Sequence, residues 1–235
     1  MKRVETGIPG FDEICEGGLI NRSVNLVSGG TGTGKTIFCL QFLWNGITKF
    51  GEESIYISFE ENEENLKEDA KAFGWDFDGI KGKNRDRSSF CYIPPYNIRD
   101  FEQMLLEKIK LTRAKRVIID SISSLGMSLE DDFERRKGLY RLMDYLKELN
   151  CTTLMTSEVS NDSALSAEGI GKFSRFGIEE FVCDSVISLY YAGLGGLSDR
   201  AIKIVKMRRT KHVRSPVPME ITKNGIRVIS KKRGY

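Results

Sequence analysis

Eight residues, Gly29-Gly30-Thr31-Gly32-Thr33-Gly34-Lys35-Thr36, fit the spacing G-x-x-x-x-G-K-[ST]. The glycines let a backbone fold tightly enough for its N–H groups to surround phosphate oxygens, aided by the N-terminus of a following helix. In that chemistry Lys35 reaches the β- and γ-phosphates, and the Thr36 hydroxyl holds Mg2+. The binding set runs from Gly29 to Thr36 and on to Ile37. A chance glycine turn would lack a strand before it and a helix after it; VNLVSG and IFCLQFLW supply both.

Splitting a triphosphate needs a second magnesium anchor and a base. In RVIIDS the apolar Val117, Ile118 and Ile119 end in Asp120, an acid costly to bury without a cation. An ordinary turn aspartate is the alternative. SIYISFEEN ends in Glu60 and Glu61. Adjacent side chains at a strand end point apart, so one carboxylate faces the attacking water and the other supports it, with Glu60 the activator. Both could instead open the acidic helix ENEENLKED, where negative charge suits the N-terminus, a reading stronger for Glu61.

These groups must be positioned by a scaffold, and the chain alternates the two kinds of segment that make one. Residues 24–29, 54–60, 116–122, 152–158 and 184–191 read as buried strands. Helical stretches lie between them at 35–50, 63–73, 99–112 and 133–149. Phe101, Leu105, Ile109 and Thr112 repeat at helical spacing, as do Leu139, Leu142, Met143 and Leu146. Alternation of this kind predicts an α/β fold, a mostly parallel twisted sheet with helices on both faces, whose ligands sit at the carboxyl ends of the strands. Beyond Tyr191, AIKIVKMRR and MEITKNGIRVIS read as antiparallel strands extending that sheet, the last pair joined across Asn224-Gly225. Residues 160–177 read as a mobile loop.

At 235 residues, 40% hydrophobic and 29% charged, the chain fits one large domain, 1–235. No apolar run approaches the roughly 18 residues of a membrane helix, and MKRVETGIPGF lacks a signal-peptide core, so a cytoplasmic protein is expected. Five scattered cysteines suggest small buried residues and neither disulfides nor zinc. The net charge of +3 hides a division: from Arg200 onward twelve Lys or Arg stand against Glu220 alone, leaving 24 basic and 32 acidic residues before it. Such asymmetry suits a docking surface for nucleic acid, an acidic partner or an identical subunit, or else a solvated hairpin.

Taken together and in order, TGIPGFDEICEGGLINRSVNLVSGGTGTGKT, the Glu60-Glu61 pair, VIIDSISSL, LMTSE, EEFVCDSVISLYY and KMRRTKHVRSPVPMEIT resemble the KaiC-like branch of the RecA-superfamily ATPases. The likeness runs from Thr6 to about Ile229 and points to the single-domain relatives. It implies a RecA-like P-loop domain binding ATP or ADP with Mg2+ and hydrolysing ATP slowly in a head-to-tail homo-oligomeric ring, usually of six, with the nucleotide between neighbours. The tail strands, about 200–230, would form the arm between subunits. Position by position, the resemblance places Lys206 and Arg208 at the γ-phosphate of the next subunit, and His212 and Arg214 near its nucleotide and ribose. Arg209 stands where the family usually has glycine. A histidine in such a setting is as often structural.

A cationic finger supplied in trans would couple hydrolysis to assembly and make acidic body and basic tail two halves of one heterologous interface. The alternative is a RecA- or RadA-like recombinase whose tail meets DNA phosphates, although the tail lacks the interleaved aromatics that single-strand stacking favours. A scaffold with a degenerate site ranks lower. Autophosphorylation at Ser121 or Ser123 is not expected.

Overall fold

Short apolar runs bounded by turn residues become the parallel strands of the computed structural model, which describes residues 1–93, 98–127, 132–159, 173–193, 195 and 199–230. The strands are β1 (Arg3–Val4), β2 (Leu19–Ile20), β3 (Val24–Gly29), β4 (Ser54–Ser58), β5 (Ser88–Tyr92), β6 (Arg116–Asp120), β7 (Thr152–Glu158), β8 (Ser185–Tyr191), β9 (Arg200–Met207), β10 (Val217–Thr222) and β11 (Gly225–Val228). The helices are α1 (Lys35–Thr48), α2 (Glu63–Lys71), α3 (Ile98–Thr112), α4 (Ile122–Met127), α5 (Asp132–Glu148) and α6 (Glu179–Val182).

Nine strands form the main sheet in the order β11-β10-β9-β8-β3-β7-β6-β4-β5. From β8 to β5 all pairings are parallel, and β9, β10 and β11 extend the β8 edge antiparallel, as the strand segments after Tyr191 and their Asn-Gly hairpin signal predict. β1 and β2 pair in a separate small sheet.

Strand periodicity divides the core between the two faces. Val27, Tyr56, Ile118 and Leu154 point to one side, where they meet α1, α2 and the β10–β11 hairpin. Leu26, Ile55, Ile57, Val117, Ile119 and Met155 point to the other, against Leu105 and Ile109 of α3 and Leu139, Leu142, Met143 and Leu146 of α5. Buried amides on α1 fix its neighbours. Gln41 exchanges two hydrogen bonds with the Ile226 backbone, at 3.0 and 2.7 Å, and Asn45 donates to Thr6 O at 3.1 Å.

The hairpin differs by one position from the sequence reading. Thr222 pairs with Gly225, so Lys223 and Asn224 make the turn, and Gly225 supplies the positive φ, 101°. β5 escaped the sequence reading because its residues are half-exposed and form no apolar run. α4 and α6, of 6 and 4 residues, are too short to show a helical period.

Four of the five cysteines are buried as expected, but Cys91 on edge strand β5 is partly exposed; all five are free. Of the loop expected at 160–177, residues 160–172 lie outside the described residues. Among the described residues, no helix is long and apolar enough to cross a membrane.

Candidate nucleotide site

The glycine run connects β3 to α1 at the carboxyl end of the sheet. Gly32 and Gly34 take φ values of 72° and 102°, which side chains rarely adopt, and Gly34 caps α1 without a side-chain hydrogen bond. The helix therefore presents bare N–H groups to the loop, the arrangement that suits an anion. Ile221 and Ile226 of the hairpin close over the back of Gly34, where an added Cβ would lie 3.1 Å from Ile221 Cδ1. Lys35 folds back, its Nζ donating to Gly29 O at 3.1 Å and Gly30 O at 3.0 Å. The Thr33 hydroxyl donates to Gly30 O at 2.8 Å, while Ile37 is partly buried against the core.

Asp120, at the end of β6, stands against the start of α1. Thr36 Oγ1 donates to its Oδ2 at 3.2 Å; the Tyr56 hydroxyl reaches the same oxygen, and Thr156 reaches Oδ1. Burial, then the Asp120 charge, holds the Tyr56 hydroxyl well above the ordinary tyrosine range, so it remains a donor. One carboxylate and one hydroxyl beside the loop are hard oxygen ligands that fit Mg2+, which typically takes one or two carboxylates and completes its shell with phosphates and water. Among the described residues, no group of three His, Cys, Asp or Glu gathers for a metal.

Glu60 and Glu61 follow β4, their N–H groups both donating to Ser58 Oγ, at 3.3 and 2.9 Å. Oε1 of Glu60 accepts from Ser121 Oγ at 2.7 Å and from Ser124 Oγ. Glu61 is half-buried; burial first, and then the charges of Asp69, Asp120 and Glu60, raise its carboxyl above the usual range.

The basic tail goes elsewhere. Gly29, at the end of β3, pairs with Leu189, and Asn25, near its start, pairs with Ser185. Ser185 in turn faces Met207 on antiparallel β9. At ~3.3 Å per residue, Met207 lies about 13 Å down the strand axis from the loop. There Lys206 Nζ donates to the carbonyls of Glu180, Phe181 and Cys183 at 3.1, 3.2 and 2.7 Å, gripping the end of α6. Arg208 donates to Phe181 O at 3.3 Å and lies 3.6 Å from Asp184. Burial and then the neighbouring Arg208 charge lower the Lys206 pKa. Arg209 takes φ 53°, the left-handed conformation in which glycine is at ease, so the backbone keeps a glycine-like turn with an arginine in it. Arg3 donates to Thr210 Oγ1 at 2.7 Å, and Val213 N donates to Ile14 O at 3.0 Å, pinning the following segment. Within it the His212 ring nitrogen Nδ1 lies 3.2 Å from the carbonyl oxygen of Val213, and Arg214, next along, is exposed.

The structure thus brings together Gly29 to Ile37, Asp120, Glu60 and Glu61, and sets Lys206 and Arg208 at the other end of the strands, while His212 and Arg214 follow on the segment pinned through Thr210 and Val213. Sequence reasoning missed Tyr56, Thr156, Ser121 and Ser124 as partners of the carboxylates. It also missed Arg200, which stacks 3.9 Å over Tyr191 and donates to Gly32 O at 2.7 Å on the loop. The run DSISS, with three hydroxyls just past a strand-ending acid, was the one available signal for the serines.

A mostly parallel sheet, a glycine cradle opening a central helix and an acid ending a neighbouring strand define a RecA-type P-loop domain. The family model described as "ATPase: KaiC" matches residues 4–233. The circadian clock oscillator protein KaiC of Synechococcus elongatus is 35% identical over 237 residues, covering 97% of this chain and 44% of that protein. The chain spans less than half the length of such curated KaiC relatives, but a UPF0273 protein of Thermotoga maritima is 34% identical across 100% of this chain and 98% of its own. Among solved structures, a KaiC-like protein of Pyrococcus horikoshii superposes with a TM-score of 0.84 at 36% identity, covering 97% of this chain and 99% of that one. The chain belongs to the KaiC family of ATPase domains.

Proposed function

We propose that this chain is a Mg2+-dependent ATPase whose sites are completed between copies of itself in a head-to-tail ring, six by the family resemblance. ATP binds in the cradle from Gly29 to Ile37, with Lys35 on the β- and γ-phosphates. Thr36 and Asp120 hold Mg2+, which supplies charge neutralisation on the phosphate oxygens. Glu60 accepts a proton from water as the water oxygen bonds to the γ-phosphorus. The bond from that phosphorus to the β–γ bridging oxygen breaks, and its electron pair leaves with ADP. Glu61 supports Glu60. Lys206 and Arg208 meet the phosphates held by the next copy, with His212 and Arg214 nearer the sugar. The cytosol, rich in ATP and reducing enough for free thiols, is the compartment this reading requires.

One observation carries the trans arrangement: Lys206 and Arg208 sit toward the start of β8, whereas their own phosphate loop lies at the opposite, carboxyl end of the parallel strands. A phosphate they touch belongs to another molecule.

Lys35→Ala should abolish nucleotide binding in calorimetry. Glu60→Gln should bind normally and lose roughly 10²- to 10⁴-fold in turnover; undiminished turnover removes Glu60 from the mechanism. Lys206→Ala should hydrolyse poorly while its own loop still binds ATP. Mixed with Lys35→Ala chains under subunit exchange, it should regain activity, because some junctions then join an intact loop to an intact Lys206. A mixture that stays inactive overturns the trans assignment.

A further inference from the structure

Glu60 is exposed, yet its carboxylate is not left to rotate. Ser121 and Ser124, 1% and 7% exposed, each have one hydroxyl proton, and both hydroxyls lie against the same carboxylate oxygen, Oε1. Their own oxygens are 3.0 Å apart, so the pair forms one compact donor site. The main chain is fixed independently by Ser58, whose hydroxyl oxygen accepts from the N–H groups of Glu60 and Glu61. Two donors on Oε1 occupy the lone pairs available to it and leave Oε2 as the basic atom.

Resting on the reading of Glu60 given above, we propose that Ser124, with Ser121, is a positioning residue for hydrolysis: it locks Oε1 so that Oε2 faces the attacking water and takes its proton. The two serines differ in what else they do. Ser121 Oγ also accepts from Ser124 N at 3.3 Å, an N-cap contact to α4, so removing it disturbs the helix as well. Ser124 makes no such cap: its hydroxyl proton goes to Glu60 Oε1, and Ser121 Oγ lies beside it at 3.0 Å. Ser124 is therefore the residue that separates positioning from folding.

The test is single-turnover hydrolysis and MgADP calorimetry on the full chain, wild type against Ser124→Ala, in native and Glu60→Gln backgrounds. Ser124→Ala should lower the hydrolysis rate by roughly ten- to a hundredfold, the scale of a misplaced catalytic group, with MgADP affinity and melting temperature unchanged. In the Glu60→Gln background it should cost nothing further, and Ser124→Cys, a weaker donor, should fall between. A Ser124→Ala protein at wild-type rate while Glu60→Gln is inactive overturns this inference alone. Equal losses in both backgrounds, or a lowered melting temperature that accounts for the loss, reduce Ser124 to a packing role and overturn it too. Wild-type rate in Glu60→Gln itself removes the reading beneath it, and the inference with it.

Discussion

Glu60 turns toward the start of α4, where hydroxyls meet its carboxylate, while Glu61 stays half-buried with Asp69, Asp120 and Glu60 as its charged neighbours. Burial and like charge both favour the protonated form of Glu61. Its carboxyl therefore holds a proton more tightly in the folded than in the unfolded chain. Ionising it subtracts stability at pH 7, and the subtraction vanishes below the unfolded glutamate range. Glu61→Gln should melt above wild type at pH 7, the gap closing as the pH falls to about 4; a gap that persists there assigns the effect to something other than charge. The motif residues were legible because phosphate chemistry demands particular types at fixed spacing. Tyr56, Thr156 and Ser124 were not, since their partners lie 64, 36 and 64 residues away and only the strand order brings them together.

At the scale of elements, β3 and β7 and the starts of α1 and α2 were readable to the residue, because each is an apolar or periodic run with a sharp boundary. The β10–β11 hairpin shows what pattern leaves out. Asn-Gly announced a turn, but the reason for the glycine is tertiary: a Cβ at Gly225 would sit 2.4 Å from Trp75 Cζ2 and 2.8 Å from Gln41 Oε1. With φ at 101° as well, Gly225→Ala combines backbone strain with overpacking and should cost about 2–4 kcal/mol. Urea denaturation measures this as a lower midpoint at unchanged slope; a change below 0.5 kcal/mol, within the usual range for surface substitutions, would mean that the hairpin yields freely.

For the whole molecule, the division between an acidic body and a basic tail was visible in composition, but where the tail points was not, because that depends on β9 running antiparallel beside β8. The proposed ring predicts that Mg2+ with a non-hydrolysable ATP analogue raises the mass seen by light scattering to that of about six copies, the number the family resemblance implies. Raised salt should shift it back, since exposed charges are screened beyond ~10 Å at 0.1 M. A mass fixed at one copy under all these conditions contradicts it. Lys206 grips the end of α6 away from its own loop, so in the proposed ring each copy would be a directional unit, serving one neighbour and served by the other. A chain lacking Lys35 alone then silences only the junction built on its own cradle. One lacking both Lys35 and Lys206 would silence a junction on either side, so in randomly mixed assemblies the remaining activity would follow the square of the intact fraction, where the single variant gives a straight line.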